Sequence, residues 1–221
     1  MTTVVSQPAA QARASRAAEA VIVPLQKGYL ADHPSAVAAL AQLRRGAGKE
    51  FQQVPDLWGR LDLSPLHHQS AETAPLRERE LTWAEDAVHV AVTLWALHQQ
   101  SRSSAMHRPH TKELPTGLGA AVRQLVPDDE RGEPVRKRFV RVGTAATLRE
   151  LADRLRGLVV LLRGEDIAVD YALLAGQLYA WQQPGGRDAV RRAWGRSFQA
   201  YRPRSAADND NNDNSLDKDA S

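Results

Sequence analysis

RERELTWAEDAVHVAVTLWALHQQS, residues 77–101, decides the fold class. Leu81, Val88, Val92 and Trp95 recur on one helical face, and Ala84, Ala87, Val90, Ala91, Leu94 and Leu97 widen it. A helix apolar around most of its circumference belongs inside a protein, so the spacing predicts a central core helix from about Leu76 to Ser101.

Working outward, nearly every other periodic segment is also helical. Pro34 opens SAVAALAQLRRG, with Val37, Leu40 and Leu43 on a stripe and Gly46 as a stop. Pro55-Asp56-Leu57-Trp58 and Leu61-Asp62-Leu63-Ser64-Pro65 read as short helical or turn pieces. A short helix covers Leu118 to Leu125 and ends before Pro127 and the acidic turn Asp128-Asp129-Glu130. Pro134 opens PVRKRFVRV. Thr147-Leu148-Arg149-Glu150 is a capping-box pattern before a helix striped by Leu148, Leu151, Leu155, Leu158 and Leu162. Tyr171, Leu174, Leu178 and Trp181 stripe the next helix, which Pro184-Gly185-Gly186 breaks. Val190, Trp194 and Phe198 share one side of the last. No stretch alternates as a strand, so the expected fold is an all-α helical bundle protein of two helical subdomains. The expected division is a mobile or marginally helical extension (1–19), an N-terminal subdomain (20–130), a basic C-terminal subdomain (131–204) and a disordered acidic tail (205–221).

The 221 residues are 43% hydrophobic and 25% charged, a globular composition. Cysteine is absent, which removes disulfides, thiolate metal sites and cysteine nucleophiles and fits a reducing cytoplasm. No run approaches the roughly 18 apolar residues of a membrane helix, and no charged start precedes an apolar block as in a secretory signal. A cytoplasmic chain without membrane partners is expected.

The net charge of +3 hides an asymmetry. Residues 131–204 hold 15 Arg or Lys against 7 Asp or Glu, whereas residues 1–130 hold 13 against 14. The tail from Ser205 has five Asp and one Lys. Of 29 basic residues 24 are Arg, the side chain that forks onto phosphates, although base composition also enriches it. A one-sided basic lobe makes a polyanion the first partner to consider.

Catalytic chemistry finds little footing. GxxxxGK[ST], GxGxxG and GxSxG are all missing, and Gly117-Leu118-Gly119 reads as a loop before a helix. His98, His107 and His110 invite a metal reading, but zinc without thiolates needs three ligands and a matching second shell, so no metal or cofactor is expected. His67-His68 read as exposed loop side chains. Glu85-Asp86, with His89 one turn on, fits a polar network or solvated edge better than a carboxylate cluster on divalent cations. Glu165-Asp166 lies at a turn.

The basic clusters are the positive signal. Arg136, Lys137, Arg138 and Arg141 fall within six residues around Phe139 and Val140, with Lys137 and Arg141 on one helical face. Arg149, Arg156 and Arg163 recur every seven residues, tracing a slowly drifting line. Arg187 and Arg191 share one face, as do Arg192 and Arg196. Helices set side by side would join such lines into a track for a sugar–phosphate backbone. Against that, Arg149 can pair with Asp153 and Glu150 with Arg154, leaving only a solvated face.

Several of these segments, in this order, resemble the small CasB-type subunit of the type I-E CRISPR surveillance complex, Cascade. They are Leu43-Arg44-Arg45-Gly46, the Thr93-Leu94-Trp95-Ala96-Leu97-His98-Gln99 run, Leu118-Gly119, Val135-Arg136-Lys137-Arg138-Phe139, Asp170-Tyr171, Trp181-Gln182 and Val190 to Phe198. Each is short; their order and spacing, from about Val21 to Tyr201, make the likeness specific.

The resemblance implies a non-enzymatic, all-helical protein present as a head-to-tail pair with a second copy of itself. It would lie between CasC-type backbone subunits on the guide RNA and the CasA-type large subunit. The basic surface would hold the displaced non-target DNA strand and contact guide RNA and target strand, stabilising the R-loop. Carried over by position, the nucleic-acid-binding candidates are Arg44, Arg45, Arg102, Arg136, Lys137, Arg138, Arg141, Arg191, Arg192 and Arg196. His98 and Gln99 match the pattern but rank lower, a structural role being open to them. Two other readings stay open: a helical scaffold whose Arg faces meet acidic protein neighbours, and, more weakly, a helix-turn-helix regulator.

Overall fold

A computed structural model describes residues 7–57, 59–67, 75–126 and 132–201. Trp58, His68, the turn Asp128-Asp129-Glu130 and the acidic tail fall outside the described residues. Nine α-helices lie among those described. The first half holds α1 (Gln7–Leu30), α2 (Pro34–Leu43), α3 (Ser64–His67), α4 (Glu78–Gln99) and α5 (Leu118–Gln124). The second holds α6 (Glu133–Gly143), α7 (Leu148–Gly164), α8 (Tyr171–Trp181) and α9 (Gly186–Ala200). Short 3-10 turns at Arg44–Gly46, Phe51–Gln53 and Pro55–Leu57 link α2 towards α3. The chain is all-α, and among the described residues the one β-type contact is an isolated bridge between His107 and Val169.

α4 is the core helix its pattern predicts. Ala84, Ala87, Val88, Val92, Leu94 and Trp95 are all fully buried, and α1, α2, α7 and α8 cover it. Around it α5 packs on α9, and α6 on α7. One apolar cluster runs through both halves of the chain, joining Leu40 and Trp95 to Leu155, Tyr171 and Trp194.

Two expectations need correction. Residues 7–19, read as a mobile or marginally helical extension, form the first half of α1 and bury Ala10, Ala14, Ala17 and Ala18. Alanines at that spacing add little hydrophobic signal but let two helix backbones approach closely. A Cβ placed on Gly176 of α8 would lie 2.4 Å from Ser15 Oγ of α1, so this contact needs small residues on both sides. In α2 the buried positions are Ala36, Leu40 and Leu43, and Val37 is 40% exposed because the covered face lies one residue back.

Local chemistry sets the helix ends. Thr147 Oγ1 accepts from the Glu150 amide at 3.1 Å. The return bond of the predicted capping box lands one residue early, on the Ala146 amide at 2.7 Å. Between α8 and α9 the turn passes through Gly185 with φ +73°, a region glycine enters without strain. Among the described residues no helix is long and apolar enough to cross a membrane.

Candidate nucleic-acid interface

The polar residues of the Cascade-like pattern divide into two sets. One faces inward and holds backbone. His98 Nδ1 lies 2.8 Å from the Tyr171 hydroxyl, and both side chains are fully buried. Gln99 donates to the carbonyls of Arg102 and Ser104 and accepts from the Met106 amide, so one side chain shapes the whole turn after α4. Asp170 caps α8 by accepting from the Leu173 amide at 2.8 Å, while its other oxygen accepts from the His110 amide. Gly119 lets α5 press on α9, since a Cβ there would lie 2.1 Å from the Trp194 carbonyl oxygen. Gly46 is hemmed in similarly by Leu57 and Thr93.

The second set consists of arginines, within that pattern and on α6 and α7 beside it, and these divide again. Some spend their guanidinium on helix C-termini, where unpaired carbonyls and the negative end of the helix dipole attract cations. Arg154 reaches the Arg141 carbonyl and Thr144 hydroxyl at the end of α6 and also pairs with Glu150. Arg191 donates from Nε to the Gly143 carbonyl at 2.6 Å and pairs with Asp188 at 3.2 Å. Arg163 donates to the Leu97 carbonyl and Gln100 side chain at the end of α4. The others project outward. Arg138, Arg141, Arg149, Arg156 and Arg192 are exposed, and among the described residues their side chains make no hydrogen bond or ion pair. Lys137, also exposed, stands 3.6 Å from Glu133.

Packing joins the helices that carry most of the predicted candidates into one layer. α6 lies against α7, Phe139 stacks on Phe198 of α9 with centroids 5.4 Å apart, and Arg191 joins α9 to the end of α6. Along α7, Arg156 lies over the turn that follows Arg44 and Arg45, its Cδ 3.0 Å from the Cβ position of Gly48. That contact carries the basic layer towards Arg45, Lys49 and Arg60, which line a small cleft of about 400 Å³ with Gln42 and Gln53. Lys49 and Arg60 escaped the sequence reading because they stand alone between unremarkable neighbours. Arg102 is at the far end of α7, paired with Asp166 at 3.2 Å. Arg196 leaves the layer and lines a cleft with Arg108, Lys112 and Tyr201, next to Glu165 and Asp166.

The histidines and carboxylates have other surroundings. Among the described residues no three His, Asp or Glu gather as a metal would require. His107 Nδ1 accepts from the Tyr171 amide, and His110 Nδ1 from the Gly117 amide, so each ring braces a loop. His67, exposed at the end of the short helix α3, lies 3.8 Å from Glu85. Burial pushes Asp86 up to about 6, against a Gln52 hydrogen bond and with Glu50 and Glu85 adding to the rise. Burial pushes His89 down to about 4 and His98 to about 3, keeping both neutral inside the core.

Comparison with known proteins agrees with the fold. No curated protein sequence matches the chain. Among solved structures, CasB from Thermobifida fusca is 43% identical, with TM-score 0.73, covering 89% of this chain and 100% of that one. A chain from a structure described as a CRISPR RNA-guided surveillance complex is 22% identical, with TM-score 0.60, covering 84% of this chain and 93% of that chain; it shares the fold. The family described as CRISPR-associated protein Cse2 matches residues 39–198, more than half of the sequence. Its Arg-rich helices, buried His-Gln corner and glycine-mediated helix crossing are thus those of a chain that belongs to the CRISPR-associated Cse2 (CasB) family.

Proposed function

We propose that the chain is a non-catalytic subunit of a CRISPR RNA-guided surveillance complex and stabilises the R-loop by holding the displaced DNA strand. The observation that carries this reading is the exposed set Lys137, Arg138 and Arg141 on α6 with Arg149 and Arg156 on α7. Four of these five have no carboxylate partner among the described residues, so the layer presents uncompensated positive charge. R-loop opening exchanges DNA pairs for hybrid pairs at nearly equal energy, so modest phosphate contacts to the freed strand tip the balance. Such contacts are blind to sequence, and affinity falls with salt by about 0.7 log units per log unit for each phosphate neutralised. Guide RNA, target strand, a second copy of the chain and the CasA- and CasC-type subunits are the partners this role requires.

The test is Lys137→Glu/Arg138→Glu/Arg141→Glu in a reconstituted complex. Nuclease protection of the non-target strand should be lost while the isolated chain keeps its helical circular dichroism. Unchanged protection would sink the assignment. One observation favours a scaffold role instead: Val140, in the middle of the cluster, is 63% exposed and offers an apolar contact for a protein neighbour. On that reading Val140→Asp disrupts assembly, and the charge reversal leaves strand protection intact.

A further inference from the structure

Around the Pro184-Gly185 turn lies a cleft of about 420 Å³ lined by Arg79, Gln182, Gln183, Arg187, Asp188 and Arg191. Two of its arginines stand over tryptophan rings. The Arg79 guanidinium carbon is 4.7 Å from the ring centroid of Trp83, and that of Arg187 is 4.5 Å from Trp181. The first stack follows from one helical turn on α4. The second is built by the turn. Gly185 has φ +73°, and a Cβ on Gly186 would lie 1.7 Å from the Ala180 carbonyl oxygen. Glycine at both positions therefore lets α9 start where Arg187 returns over Trp181. Gln182 ties the turn to α4 by donating to the Trp83 carbonyl at 2.8 Å.

Both stacked arginines are exposed, and among the described residues neither has a carboxylate or carbonyl partner. Arg191, bound to the Gly143 carbonyl, joins this cleft to the end of α6. A guanidinium already ordered on an indole loses little freedom when it binds. Its edge forks onto a phosphate, and its outer plane accepts the face of a base. Only an unpaired base offers that face.

We propose that this cleft is a subsite for one unpaired nucleotide, with flanking phosphates on the edges of Arg79 and Arg187 and the base on a guanidinium plane. The inference rests on the strand-holding reading and adds to it a preference for single strands, which exposed charge on α6 does not supply.

Anisotropy with the full chain tests it, using a fluorescein-labelled thymidine 20-mer and a 20-base-pair duplex across a salt series. Arg79→Ala/Arg187→Ala should weaken single-strand binding about tenfold, and duplex binding less. Its log–log salt slope should fall by about 1.4, two phosphates' worth on a single strand. Arg79→Lys/Arg187→Lys should keep the slope yet still lose affinity, because the charge remains and the stack does not. Wild-type single-strand affinity in the alanine variant overturns the subsite. If the α6 charge reversal abolishes binding in the same series, the strand-holding reading survives that failure. Wild-type affinity in the lysine variant overturns the stacking. No binding of either probe by the unaltered chain at low salt overturns the subsite, and strand protection in the reconstituted complex then decides the strand-holding reading.

Discussion

From Gln99 to Gly119 several side chains are spent on the fold itself. Gln99, His107, His110 and Thr116 each bond a backbone group of that loop or of the chain beside it. Along α6 and the outer face of α7, the side chains of Arg138, Arg141, Arg149 and Arg156 turn outward and bond nothing among the described residues. Both regions contribute to the same family-like pattern, yet the first set of bonds holds the fold, whereas the outward arginines stay open to a partner. A buried polar group without a bond costs about 1–3 kcal/mol, so the inner region tolerates little change, whereas a solvated arginine is replaceable without harm to the fold.

The sharpest way to break the inner region is Gly119→Ala. Its methyl would overlap the Trp194 carbonyl and crowd the Phe198 amide, both backbone atoms that move only with α9. A loss of about 3 kcal/mol is expected, read as a lowered urea midpoint. Stability within 0.5 kcal/mol of the parent, an ordinary surface effect, would mean that α5 and α9 do not cross here.

Acid is the next largest perturbation. His98 is held near 3 in the fold, chiefly by burial, with Arg163 and Arg102 adding to the fall and the Leu162 carbonyl and Asp166 opposing it. The unfolded chain takes up this proton near 6.5, so the folded state is favoured above that pH and loses the advantage as pH falls towards 3. On the order of 3 kcal/mol is at stake over that window. His98→Gln should be less stable at pH 7 but show a shallower decline between pH 6.5 and 4 in urea titrations. An unchanged slope would place the titrating group elsewhere.

The same contrast explains what could be read from sequence. α4 was legible because a broad apolar face has one explanation, and α7 and α9 because their stripes alternate with charge. The first half of α1 was not, since its buried face is alanine, which adds little to a hydrophobic stripe. For the interface, residue type was legible and allegiance was not. Arg138 and Arg154 look alike in a string of letters, and only the placement of the α6 carbonyls makes one free and the other a cap. Arg79 over Trp83 follows helical spacing; Arg187 over Trp181 needed the geometry of the intervening turn.

Asp86 sharpens the comparison from the opposite side, because it lies on the core helix and is penalised for being there. Burial is the main cause of its rise to about 6, and Glu50 and Glu85 repel its charge, while only Gln52 favours the ionised form. A carboxyl raised above its unfolded value of 3.8 makes the fold bind more protons than the unfolded chain between those two values. This group's contribution therefore falls as pH rises through 4 to 6, the reverse of the His98 effect. Asp86→Asn keeps an oxygen for Gln52 and removes the charge. It should stabilise the chain by about 1 kcal/mol at pH 7, the shift being discounted for partial solvent screening, and by nothing at pH 4. Equal urea midpoints for parent and variant at pH 7 would show that water reaches this carboxylate, and that the inward region ends one turn further along α4.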